Sequence, residues 1–112
     1  MNKNEKGGSK MSLKKQFMKS KPVCKVTFHL SKEAVAKAKK VSLVGDFNEW
    51  DIEATPMKKQ KDGGFSVTLN LEQGREYQFR YLIDGTTWEN DWCADKYVPS
   101  ILGGADNSVV VL

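Results

Sequence analysis

Two stretches joined by one turn restrict this chain more than any other feature. Phe65, Val67, Leu69 and Leu71 alternate with Ser66, Thr68 and Asn70. Glu72-Gln73-Gly74 turns the chain, and Tyr77, Phe79, Tyr81 and Ile83 then alternate with Gln78, Arg80 and Leu82. A helix cannot hold either apolar set on one face, because its side chains repeat every ~3.6 residues; a strand with one buried side holds both. Asp84-Gly85 follows, a dipeptide suited to a two-residue hairpin turn. An antiparallel sheet is therefore the frame on which the rest must be built.

The same rhythm recurs. Cys24, Val26, Phe28 and Leu30 alternate with Lys25, Thr27 and His29. Val41–Val44 is a short apolar strand, Met57–Lys59 pairs briefly, and Asp62-Gly63-Gly64 is a turn. Thr86–Glu89 returns after the hairpin, and Ser108–Leu112 closes as a final strand. Ser31–Lys40 is rich in helix formers with Ser31 as a candidate cap, and reads as a connection with at most one or two helical turns. Residues 90–107 hold Pro99, Gly103 and Gly104 and read as irregular. About six to eight short strands without a long helix predict an all-β antiparallel β-sandwich.

At 112 residues the chain is one domain, too small for a deep catalytic cleft. Residues 1–40 carry 12 Lys against 2 Glu, whereas residues 41–112 carry 6 Lys/Arg against 12 Asp/Glu. Residues 1–21 read as a disordered, flexible, Lys-rich arm and residues 22–112 as the sandwich. Met11 offers a second start site behind Gly7-Gly8. The body is mildly acidic, which argues against a nucleic-acid domain, whose positive charge sits on the folded surface. Cys24 and Cys93 show no CxxC spacing and His29 stands alone, so no metal site is expected. The N-terminus lacks the apolar core of a secretory signal, and no apolar run is long enough to span a membrane. A cytoplasmic monomer with free thiols and no cofactor is expected.

Trp50, Trp88 and Trp92 fall in or beside predicted loops. An indole face packs against the C–H face of a sugar ring, while Asn48, Arg80, Asn90 and Asn107 offer donors and acceptors to hydroxyls. On spacing alone, packing of the tryptophans over the sandwich leads over binding, and Trp92 goes mainly to packing. Asp46, Glu49, Asp51, Glu89, Asp91 and Asp95 offer carboxylate pairs for glycoside hydrolysis, yet nothing supplies a pocket to raise one pKa, and a solvated acidic surface is the better reading. Asp46-Phe-Asn48-Glu-Trp50 starts like a calcium loop but places Trp50 where an oxygen ligand is required. His29 is mid-strand, and no phosphate-binding glycine loop is present.

Val41–Asp51 (VSLVGDFNEWD), Thr55-Pro56-Met57, Asp62–Leu71 (DGGFSVTLNL), Gly74–Gly85 (GREYQFRYLIDG), Trp88 and Asn107–Val111 (NSVVV) occur in that order. This series resembles the family 48 carbohydrate-binding module, the early-set immunoglobulin-like domain at the front of glycogen branching enzymes and isoamylases. It is similar also to the glycogen-binding domain of the AMP-activated protein kinase beta subunit. The resemblance covers roughly residues 22–112 and implies an immunoglobulin-like sandwich. It implies an α-1,4-glucan ligand such as glycogen, starch or maltodextrin, stacked on Trp50 and Trp88, with Arg80 as the basic residue and Leu102 pressing on a sugar face. Positions after that leucine match Gly104 and Asp106, where the kinase module has threonine and asparagine, and Asn107 stands next to them. Thr86-Thr87 adds a residue before Trp88, and Trp92 follows Asp91 where the family often has proline.

The leading expectation is a stand-alone, non-catalytic glucan-binding module using Trp50, Trp88, Arg80 and Leu102, with Asn48 and Asn107 in support. The chain ends at Leu112 at the close of a strand, which is read as leaving no room for a catalytic domain. The alternative is a protein-interaction module that docks on a glucan-metabolising enzyme. Nucleic-acid binding through residues 1–40 ranks third and an enzyme last.

Overall fold

The computed structural model describes residues 11–35, 37–100 and 104–112. They form nine strands: β1 (Met11–Phe17), β2 (Val23–Leu30), β3 (Val41–Gly45), β4 (Lys58–Lys59), β5 (Phe65–Glu72), β6 (Glu76–Ile83), β7 (Thr87–Glu89), β8 (Lys96–Pro99) and β9 (Asp106–Val111). One sheet runs β1-β2-β5-β4 and the other β3-β6-β9-β8, with β7 pairing β6. All pairings are antiparallel. The predicted sandwich is thus two antiparallel sheets, and β6 is the spine of the second. Its one flank faces β3; its other flank pairs first with β9 and then, from Tyr81 onward, with β7.

The alternating rows predicted from the sequence form the interior. Val26, Phe28, Leu30, Phe79 and Tyr81 are fully buried between the sheets. Phe28 meets Phe79 edge-on with ring centroids 5.2 Å apart, and Phe79 meets Tyr81 in the same way at 5.8 Å. Edge-to-face contact places the positive rim of one ring against the negative face of the next, which adds to the gain from burial. Asp84 and Gly85 both have positive φ, as the two central residues of the predicted hairpin turn require.

Three expectations are corrected. Residues 11–17 are not part of a disordered arm: they form β1 and pair with β2 along their whole length. Met11 and Leu13 occupy the inward row, and Met11 is 1% exposed, so burial holds the strand in place. Residues 1–10 lie outside the described residues. The stretch predicted as irregular contains β8, which pairs with β9 at the sheet edge, where Pro99 leaves no central ladder bond unmade. Ser31 caps nothing; its hydroxyl is buried without a partner. The connection it opens consists of turns, with Ala34 donating to Ser31 O at 3.0 Å and Ala38 to Val35 O at 2.9 Å.

Cys24 is a buried thiol, whereas Cys93 is exposed and its Sγ donates to Met11 O at 3.1 Å. Among the described residues no helix is long and apolar enough to cross a membrane, and no group of three or more His, Cys, Asp or Glu is placed to hold a metal ion.

Candidate functional site

The site begins where β3 leaves its sheet. Gly45 pairs with Phe79, and a Cβ there would lie 2.5 Å from the Gln78 carbonyl oxygen and 2.7 Å from Phe79 Cβ. Only glycine fits, and the chain then turns through a 3₁₀ segment, Asp46–Asn48. Phe47 inserts into the aromatic interior, 5.8 Å from Phe28 and 6.2 Å from Tyr77 between centroids. That anchor holds the loop while its polar residues satisfy the groups the strand end leaves open.

Asp46 is central to this. With β3 finished, the Gln78 N–H has no strand partner, and Asp46 Oδ2 accepts it at 2.8 Å. Asp46 Oδ1 accepts the indole N–H of Trp50 at 2.9 Å. Trp50 is thereby held at the level of Gln78 on β6, with its ring partly exposed. Glu49 and Trp50 both adopt φ of 59°, the left-handed region, which costs a non-glycine residue roughly 1 kcal/mol. Two such residues in succession, one of them tryptophan, mark a loop whose conformation is imposed by its anchors.

Asn48, expected to face sugar hydroxyls, is fully engaged in the loop. Its Oδ1 accepts from Gly45 N–H at 3.1 Å, and its Nδ2 donates to Leu43 O and to Thr55 Oγ1, each at 2.9 Å. Thr55 returns along the free edge of β3, where its carbonyl accepts from Leu43 N–H at 2.9 Å. Asn48 therefore braces the loop that carries Trp50, and both its donors are taken.

Arg80, Leu82 and Gln78 form the outward row of β6, opposite the buried row of Tyr77, Phe79 and Tyr81. Trp88 on β7 stands opposite Leu82 in register and shares that outward face, with 43% of its surface exposed. Arg80 lies between the two tryptophan levels. Its Nε donates to Asn107 Oδ1 at 2.6 Å and its Nη2 to Ala105 O at 2.9 Å. Asn107 in turn donates to Gln78 Oε1 at 2.9 Å. At 7% exposure Asn107 works on the guanidinium and on Gln78 more than on a ligand. A guanidinium carries five N–H donors, so those not directed at Asn107 and Ala105 remain for hydroxyl oxygens. Leu102 lies outside the described residues, and Gly104 has φ of 80° at the start of the loop before β9.

Asn90 and Asp91 belong to the framework. Asn90 Oδ1 accepts from Ser108 N–H at 2.8 Å and from Ser108 Oγ at 2.7 Å, and its Nδ2 donates to Asp106 O at 2.8 Å. Asp91, expected on a solvated surface, is fully buried. Its carboxylate accepts from Tyr81 OH at 2.5 Å and Cys93 N–H at 2.7 Å, and its carbonyl from the Tyr97 hydroxyl. Burial pushes its carboxyl above the ordinary range, and the Tyr81 and Cys93 donors pull it partly back. Burial likewise pushes the Tyr81 hydroxyl well up, helped by the Asp91 charge. The carboxylate is surrounded by protein groups, an arrangement suited to bracing rather than to proton transfer with a substrate. Trp92, assigned mainly to packing, is 52% exposed, and its backbone N–H donates to Met11 Sδ at 3.2 Å.

Two residues that the sequence reading did not place at the site prove to organise it. Asp46 orients Trp50, and Gln78 supplies both an N–H to Asp46 and an amide oxygen to Asn107. Trp88 and Arg80 share one outward face, and Trp50 is held through Asp46 at the level of Gln78 on the same strand. Comparison with known proteins places the chain among sequences of one family. The family model described as carbohydrate-binding module 48 (isoamylase N-terminal domain) matches residues 33–98. A 54-residue stretch is 44% identical to the 1,4-alpha-glucan branching enzyme GlgB of Aquifex aeolicus (strain VF5), covering 46% of this chain and 8% of that enzyme. The chain thus spans a small fraction of the length of that relative.

Proposed function

The chain belongs to the carbohydrate-binding module 48 family, and on that premise we propose that it binds α-1,4-linked glucan by itself, without catalysis, on the outward face of the five-stranded sheet. The observation that carries this reading is the exposed Trp88 on the same face as Arg80, with Trp50 pinned by Asp46 at the far end of that row. From Gln78 to Leu82 is four residues of strand, about 13 Å. Sugar C–H faces stack on the indoles, and Arg80 donates to hydroxyl oxygens between them. Asn107 and Gln78 hold the guanidinium and amide planes; Asn48 holds the loop.

A shallow face gives modest affinity. Hydroxyls and side chains both hydrogen-bond to water beforehand, and only the surplus appears as binding. Dissociation constants of about 10 μM to 1 mM follow. The branching-enzyme likeness supports glycogen-type polymers as the natural ligand class, and a glycogen- or starch-metabolising enzyme as the setting. Affinity electrophoresis of the chain in gels containing glycogen tests the reading. Retardation of the wild type and its loss in Trp50→Ala/Trp88→Ala are expected; unretarded wild-type migration refutes glucan binding.

A further inference from the structure

The charges of this chain separate by sheet. Residues 11–40 and 58–72 build the β1-β2-β5-β4 sheet and its connections, and carry 12 Lys against Glu33, Asp62 and Glu72. Residues 41–57 and 73–112 build the other sheet and carry Arg75, Arg80 and Lys96 against 10 Asp and Glu. Because β1 and β2 are paired strands, Lys14 and Lys25 are held on a folded surface.

That surface is the outward face of the four-stranded sheet. Lys14 stands beside Thr27, which stands beside Thr68, and the two threonine hydroxyls lie 2.9 Å apart. Lys25 sits in the next outward row between Gln16 and Asn70, and Lys58 stands beside Ser66 on the far strand. The outward rows of β1, β2 and β5 contain one carboxylate, Glu72, at the far end and paired with Arg75 at 3.1 Å. Lys15 belongs to the inward row and is bound to Asp95 at 2.7 Å, whereas Lys14, Lys25 and Lys58 make no ion pair among the described residues. A shallow depression of about 380 Å³ lies among Lys14, Lys15, Gln16, Lys25 and Thr27.

We propose that this face docks the acidic surface of a partner protein, on the side of the sandwich opposite the sheet that carries Trp88 and Arg80. The charge pattern selects the partner. A single-stranded nucleic acid needs stacking platforms, and the face offers no aromatic besides His29. A long duplex meets a flat sheet along one line, and its ends approach the carboxylate-rich half. A compact acidic patch avoids both problems. Three strand spacings by a strand length give roughly 350 Å², below the ~800 Å² per partner of a stable interface. The contact is therefore transient, steered by charge and sensitive to salt. It does not rest on the glucan reading, since the two faces belong to different sheets.

Titrating dye-labelled poly-L-glutamate with the whole chain tests the proposal. Binding is expected at about 50 mM salt and at least about tenfold weaker at about 300 mM. Lys14→Glu/Lys25→Glu/Lys58→Glu should weaken it at least about tenfold, while the equal charge change Lys32→Glu/Lys37→Glu/Lys39→Glu should cost under about threefold. All six positions are exposed, and Lys14→Gln/Lys25→Gln/Lys58→Gln, losing charge without reversing it, should fall between wild type and the reversal variant. Glycogen retardation should be the same in wild type and the face variants. Three results overturn the proposal: equal loss in both charge-reversal variants, tighter binding of duplex DNA of matched charge, or self-association at low salt that poly-glutamate does not disperse.

Discussion

Replacing Asp46 by Ala removes two contacts at once, and the structure separates their consequences. The first is the bond from Trp50 Nε1–H at 2.9 Å, which orients the indole. The second is the bond from the Gln78 N–H at 2.8 Å, which closes the gap where β3 ends. Asp46 is exposed, so water replaces part of each, and each contributes nearer ~1 kcal/mol than the larger values of buried charged bonds. Loss of the Gln78 bond should lower the melting temperature by about 4–8 °C for a domain of this size. Loss of the indole bond frees a side chain that must be reordered on binding, and ~1 kcal/mol of reordering weakens glucan binding about fivefold. A double-mutant cycle isolates that share. Asp46→Ala should weaken maltoheptaose binding in the wild-type background and have little further effect on binding in Trp50→Ala, although the melting temperature falls in both. Isothermal titration at low salt and a thermal melt supply the four corners. Equal effects of Asp46→Ala on binding in both backgrounds would mean that Asp46 does not act through Trp50, and the reasoning would fail.

Gly45→Ala should destabilise by about 3 kcal/mol in urea unfolding, because its Cβ meets the Gln78 carbonyl and Phe79 Cβ, neither of which can yield cheaply. Arg80→Lys should weaken glucan binding about three- to tenfold and lower stability by about 1 kcal/mol, since an ammonium cannot reproduce the paired contacts to Asn107 and Ala105. The pH dependence should show opposite signs at two aspartates. Backbone N–H donors of Lys40 and Lys39 hold the Asp84 carboxyl below its ordinary value, so its contribution is present above that value and lost as pH falls through the folded one. Asp84→Asn should therefore flatten the acid limb of the stability curve. Asp91 is raised by burial, so its contribution is present below the ordinary carboxylate range and lost as pH rises through the raised value. Over that window Asp91→Asn should remove a decline in stability that the wild type shows, measured by urea midpoints.

What the sequence disclosed follows from the range of each interaction. The rows Cys24/Val26/Phe28/Leu30 and Tyr77/Phe79/Tyr81 were legible because burial on one side of a strand writes itself as period two. β1 was hidden because Lys14, Lys15 and Gln16 interrupt that pattern; Lys15 takes an inward position where Asp95, just before β8, and the Val111 carbonyl receive its ammonium. β8 was hidden by Pro99 and by its having one partner strand. Trp88 and Arg80 as neighbours on one face are recoverable from hairpin register alone. The role of Asn48 was not, because it depends on Thr55 returning beside β3. Nor was that of Asp91, whose donor Tyr81 lies on another strand and whose neighbour Ser108 lies near the end of the chain. Local pattern reports strands; the destinations of polar side chains are decided when strands from distant parts of the chain meet.

The three tryptophans provide the most direct test, since each gives its own indole N–H signal. In a ¹⁵N-resolved NMR titration with maltoheptaose, the signals of Trp50 and Trp88 should shift together and saturably, together with the Arg80 Nε–H. The Trp92 signal should stay where it is. Shifts confined to Trp92, or no shift of any indole at millimolar sugar, would contradict glucan recognition on this face.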